Sequence, residues 1–144
     1  MTKSSTSIKQ GEFKSEWHLV DDGGKVLGRI AVDIAKLLMG KAKPNFVRNL
    51  DCGDYVVVIN AKEVKVTGKK ELNKKYYRHS GYPGGFKSET LKIVREERPE
   101  EIIIHAVAGM LPQNKLKAKM LKRLKVFAGK EHNLADKFKE KSAK

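Results

Sequence analysis

Between residues 27 and 38, apolar side chains recur at Leu27, Ile30, Ala31, Ile34, Leu37 and Leu38. Steps of three and four place them on one stripe, which predicts an amphipathic helix. Gly40 supplies the stop, Lys36 and Lys41 complement the carbonyl end of the helix dipole, and Pro44 bars further helix. Before this helix, Trp17–Val20 is a short apolar run closed by Asp21, Asp22, Gly23 and Gly24, the pattern of a strand entering a turn. After it, Tyr55–Ile59 reads YVVVI, a continuous β-branched run bounded by Gly53 and Asp54 before and Asn60 after. Such a run suits a strand covered on both faces. Strand, helix and buried strand predict a right-handed βαβ unit with parallel strands, and hence an α/β layer fold.

The pattern changes after Thr67 and Gly68. Lys69–Lys87 has little apolar periodicity beyond a possible strand near Tyr76 and Tyr77. Ser88 is placed to cap a helix carrying Leu91 and Val94, and Pro99 with Glu100 and Glu101 marks a second helical start. The run EIIIHAV suits either a buried strand or a helix; Ile103, Ala106, Val107 and Met110 at helical spacing favour the helix. Gly109 and Pro112 interrupt the chain, and Asn114 opens a further helix whose Leu116, Met120, Leu121 and Leu124 face inward. Val126 and Phe127 offer a last strand. The expected organisation is a polar arm over 1–16, one α/β domain over 17–130 and a polar tail over 131–144.

Charge shifts the emphasis from core to surface. The 144 residues hold 31 Lys and Arg against 17 Asp and Glu, a formal net charge of +14. A polyanionic partner is the natural counterweight, and nucleic acid the first candidate. The single Cys52 permits no internal disulfide, which fits a reducing cytoplasm. No secretory leader and no span of about 18 apolar residues is present, so a soluble protein is expected.

Two clusters concentrate the charge. Lys69–Lys87 carries Lys69, Lys70, Lys74, Lys75, Arg78 and Lys87 against the lone acid Glu71, interleaved with Tyr76, Tyr77, His79 and Tyr82. Cations meet phosphates, rings stack on unpaired bases, and Gly81, Gly84 and Gly85 let the backbone approach a sugar-phosphate chain. The competing reading is a flexible charged loop with one or two core tyrosines. The second cluster, NKLKAKMLKRLK, puts Lys115, Lys119, Lys122 and Arg123 opposite a leucine stripe. A cationic face of this kind could also lie on an anionic membrane or simply be solvated. Lys41, Lys43 and Arg48, after the first helix, complete the candidate RNA contacts.

Enzymatic alternatives fit poorly. Gly23, Gly24 and Gly28 are not in the G-x-G-x-x-G order of a dinucleotide turn, and VTGKK lacks the first glycine and the hydroxyl residue of a P-loop. A nucleotide-binding enzyme using that βαβ turn, or a regulatory RNA-binding module, are the alternatives to set aside by experiment. His18, His79, His105, His132 and Cys52 fall at no metal-ligand spacing, and no nucleophile elbow surrounds Ser80. His18 and His105 are expected in the core, and Asp51 and Asp54 as turn-capping carboxylates. No catalytic residue, metal, cofactor or small-molecule substrate is expected.

In order along the chain stand WHLVDDGGKVLGRIAVDIAKLLMGK, DCGDYVVVINA, VTGKK, YYRHSGYPGGFK, AVAGMLPQNKL and LKVFAGKEH. Together they closely resemble the family of ribosomal protein thirteen of the bacterial large subunit, from about Trp17 to His132. The resemblance implies a three-layer α/β/α domain around a small, mostly parallel sheet. It also implies a structural constituent of the cytoplasmic ribosome that binds large-subunit rRNA beside neighbouring ribosomal proteins and acts early in subunit assembly. The family's HSGYPGG stretch maps onto His79, Ser80, Gly81, Tyr82, Pro83, Gly84 and Gly85, and its GMLP turn onto Gly109, Met110, Leu111 and Pro112. Both are expected near RNA. The two ends depart from the family pattern, and Arg48 stands where proline is common.

Overall fold

A computed structural model describes residues 13–139 of the chain. Strands β1 (Trp17–Asp21), β2 (Tyr55–Ile59) and β5 (Leu124–Val126) form a parallel sheet in the order β1-β2-β5. Helix α1 (Leu27–Met39) joins the first two, giving the expected βαβ unit. Its buried stripe is Leu27, Ile30, Ala31, Ile34, Ala35 and Leu38. Gly40 ends the helix in the left-handed region at φ 77°, and the Gly40 and Lys41 amides donate back to the Leu37 and Lys36 carbonyls. That double closure needs a residue without Cβ at its hinge. A Cβ at Gly40 would lie 2.4 Å from the Cys52 carbonyl oxygen, and one at Gly53 would lie 1.8 Å from that of Leu38. The two glycines therefore let the chain entering β2 touch the end of α1.

Successive β2 side chains serve two different layers. Val56 and Val58 join the main core with α1, α3 (Leu91–Glu97) and α4 (Pro99–Met110), whereas Val57, equally buried, points to the other face. On that face Trp17 stacks on Tyr55 at 4.4 Å, and Phe138 of helix α6 (Asp136–Lys139) meets Trp17 edge-on at 6.3 Å. His132 contacts both Phe127 and Phe138. The third layer of the α/β/α stack is thus this C-terminal segment, so much of the expected polar tail is structural. Its last residues, 140–144, lie outside the described ones. At the other end, the Ser15 hydroxyl donates to the Gly53 carbonyl and the Glu16 amide to Asp54. Residues 15 and 16 of the expected arm therefore belong to the fold, while 1–12 lie outside the described residues.

A short helix α2 (Lys70–Asn73) leads into β3 (Lys75–His79), which pairs antiparallel with β4 (Phe86–Thr90) as a separate hairpin. Here Ser88 pairs with Tyr77 inside β4 and does not cap a helix; α3 starts after Thr90. Helix α4 settles the ambiguous EIIIHAV run, because Ile102, Ile103 and Val107 pack inward. His105 falls on the opposite flank and is exposed, contrary to its expected place in the core. Met110 is exposed as well. The helix expected to run through Leu124 is shorter: α5 (Lys117–Lys122) buries Met120, and Leu124 already pairs with Val56 in β5.

Candidate nucleic-acid interface

The β3–β4 hairpin has two faces because side chains alternate along each strand. Tyr76, Arg78, Lys87 and Glu89 face α3 and α4, where with Arg98, Glu101 and His105 they line a cleft of about 140 Å³. Tyr76 lies against the His105 ring at 5.4 Å, and the Lys74 ammonium sits 5.5 Å from the Tyr76 ring centre. Burial pushes the Tyr76 hydroxyl above its usual range, against the opposing pull of Arg95. Glu71, the only acid of the basic segment, pairs with Arg95 at 3.0 Å. Lys69, Lys70, Lys74, Lys75, Arg78 and Lys87 are exposed, and among the described residues none of them has an ion-pair partner. The tip, Ser80–Gly85, is fixed by Ser80 and Gly85 amide bonds to the Gly85 and Tyr82 carbonyls and by the Gly81 amide on His79 Nδ1.

His105 also lines a second groove of about 430 Å³, shared with Lys70, Lys74, Thr67, Gly109 and Met110. A third, of about 280 Å³, is bordered by Lys41, Arg48, Pro112 and Asn114 over a floor that includes Phe46 and Met120. The first two depressions share His105 of α4, and the GMLP turn, with Gly109 and Met110 in the second and Pro112 in the third, leads from the end of α4 to the third. Of the sequence-derived candidates, Lys41, Arg48, Lys70, Lys74, Tyr77, Arg78, Lys87, Gly109, Met110 and Pro112 line these depressions. Lys115, Lys119 and Lys122 are exposed on and beside α5, which contributes Met120 to the third groove. His105 is the position the sequence reading missed; its helical phase, opposite Ile103 and Val107, was the available signal.

Three candidates are used differently. Leu111 is a core residue, 3% exposed. Arg123 is largely buried and its guanidinium binds Asp51, tying the end of α5 to the loop before β2. Lys43 Nζ reaches Asp54 at 2.7 Å and donates to the Lys14 and Cys52 carbonyls. Asp54 also bonds the His18 ring at 3.1 Å. Burial by itself would raise the Asp54 pKa, but Lys43, the Glu16 amide and His18 outweigh it and hold the carboxyl below its usual range. Asp51 and Asp54 are thus ion-pair anchors of the fold and not simple turn caps, and His18 is a half-buried partner of Asp54.

Among the described residues no cluster of His, Cys, Asp and Glu is placed to hold a metal, and no helix is long and apolar enough to cross a membrane. The family model for ribosomal protein L13 matches residues 15–133. Three bacterial proteins named large ribosomal subunit protein uL13 are each 55% identical to the chain. That of Dehalococcoides mccartyi strain 195 matches over 126 residues, 88% of either chain. That of Thermotoga maritima matches over 130 residues, 90% of this chain and 87% of its own. That of Aquifex aeolicus matches over 125 residues, 87% of each. With the α/β fold and the cationic belt beside them, these matches make the chain a member of the ribosomal protein L13 family, a family of structural ribosomal proteins and not of enzymes.

Proposed function

We propose that this chain binds large-subunit rRNA through the belt along α4 and helps early assembly of the subunit in the cytoplasm, beside neighbouring ribosomal proteins. The observation that carries the reading is the set of exposed cations, without ion-pair partners among the described residues, on the hairpin, around the three grooves and on and beside α5. Lys69, Lys70, Lys74, Lys75, Arg78 and Lys87 supply its hairpin end, and Lys41, Arg48, Lys115, Lys119 and Lys122 its far end. Cations spread over a grooved surface suit the phosphates of folded RNA, whose shape then sets the register. His79–Gly85 and Gly109, Met110 and Pro112 bring backbone close to that surface. Leu111, Lys43 and Arg123 support it from within.

Binding of the full chain to a large-subunit rRNA transcript, measured across a range of salt, tests the proposal. Each duplex phosphate contact contributes about 0.9 to the log–log salt slope. The combined variant Lys74→Ala, Lys75→Ala, Arg78→Ala is expected to weaken binding and flatten the slope by roughly two to three. Salt-independent binding by the natural chain, or an unchanged slope in the variant, would refute it.

A further inference from the structure

We infer that the outer face of the β3–β4 hairpin is a stacking platform for an unpaired base of the bound RNA. The inference rests on the rRNA-binding proposal and specifies how one part of that surface reads its ligand. Strand alternation puts Tyr77 and Phe86 on the hairpin face opposite Tyr76 and Arg78, with Tyr77 also at the rim of the hairpin cleft, and their ring centres are 5.6 Å apart with planes 22° from parallel. They are 65% and 61% exposed, and Tyr82 at the tip is 76% exposed. A large ring is normally buried because it carries a large apolar area, so three held in solvent within ten residues of chain form an unfilled recognition surface.

The charge around the rings selects the occupant. Lys75 shares their face, while Arg78 and Lys87, a cross-strand pair on the opposite face, are exposed on the same narrow two-stranded ribbon. A polyanion with flat apolar groups meets both demands; an acidic protein segment would meet only the charge. Bases inside a duplex are already stacked and present only their edges, so the rings contribute nothing to duplex binding. An unstacked base in a loop or bulge exposes a π face that Tyr77 or Phe86 can cover while its phosphates reach the cations. The hydrogen bonds across the Ser80–Gly85 tip hold the hairpin in shape before RNA arrives, which limits the ordering cost.

The test uses the full chain in two binding assays, one on the large-subunit rRNA transcript and one comparing a single-stranded RNA of about 12 nucleotides with its blunt duplex. Tyr77→Leu with Phe86→Leu keeps apolar bulk and removes both rings. It is expected to lower affinity for the transcript about tenfold or more with an unchanged salt slope, and to abolish the preference for single strand over duplex. Tyr77→Phe is expected to retain natural affinity. Tyr77→Leu alone, whose thermal midpoint should match that of Tyr77→Phe, covers the case in which the double variant fails to fold. Equal transcript affinity in ring-bearing and ring-less chains would overturn the platform while leaving rRNA binding intact, and would direct the rings to a protein partner. Absence of transcript binding by the natural chain would overturn the platform together with the reading on which it rests.

Discussion

Asp22 is fully buried at the end of β1, and neither carboxylate oxygen finds a hydrogen-bond partner among the described residues. Burial pushes its pKa from 3.8 up to about 7, against the attraction of Lys25 and with help from Asp21. The folded state therefore holds the proton more tightly than the unfolded one. The resulting stability is fully present below about pH 4 and is lost as pH rises through about 7, with a total swing of up to about 4 kcal/mol. Asp22→Asn should erase this dependence, so urea unfolding from pH 4 to 8 is expected to show the natural chain losing stability relative to the variant. Parallel curves would contradict the assignment. Asp54 has the opposite sign: its pKa is depressed, so its contribution is present above the ordinary carboxylate range and is lost as pH falls. Lys43→Met leaves that buried carboxylate without its ammonium and is expected to cost about 3 kcal/mol in urea melts at neutral pH. The RNA salt slope should stay as it was; a flattened slope with intact stability would return Lys43 to the interface.

At the scale of elements, the joint between α1 and β2 is the tightest point of the fold. Gly53→Ala would force a methyl into the Leu38 carbonyl, and the opposing atom is backbone that cannot swing aside. A loss of about 3 kcal/mol or more is expected, measured by denaturant midpoint, and a near-neutral result would mean that the α1 end can retreat. The elements feeding this joint were legible in the sequence because each has a core to face: α1 through its stripe, β2 through an unbroken β-branched run. Strand β4 was not, since FKSET has one apolar side chain and the hairpin turns it outward. Leu116 and Leu124 keep helical spacing on either side of α5, but Arg123 turns to Asp51 and parallel pairing with Val56 takes Leu124 into β5. The basic residues of the site were legible as composition; their grouping was not. It depends on the α4 flank, where His105 closes the hairpin cleft and opens the next groove.

For the whole molecule, the excess of +14 is unevenly spent. Asp51, Asp54, Glu71 and Glu89 pair inward with Arg123, Lys43, Arg95 and Arg98, which removes acids from the surface that could have neutralised the belt. Lys69, Lys70, Lys74, Lys75, Arg78 and Lys87 are therefore left close together without acidic partners among the described residues, and their repulsion opposes folding. Salt shortens the range of the repulsion to about 10 Å at 0.1 M, so moderate NaCl should raise the thermal midpoint of the free chain. The same salt weakens attraction to phosphates and should lower affinity for rRNA. The two responses have opposite signs because one charge distribution serves both. Scanning calorimetry of the free chain and transcript binding over the same salt series test the pair together. A midpoint that falls with salt while binding also falls would mean that internal ion pairs, and not the belt, dominate the electrostatics of the folded state. A rising midpoint whose salt sensitivity shrinks in the Lys74, Lys75 and Arg78 alanine variant would locate the strain in the cations that the RNA is proposed to relieve.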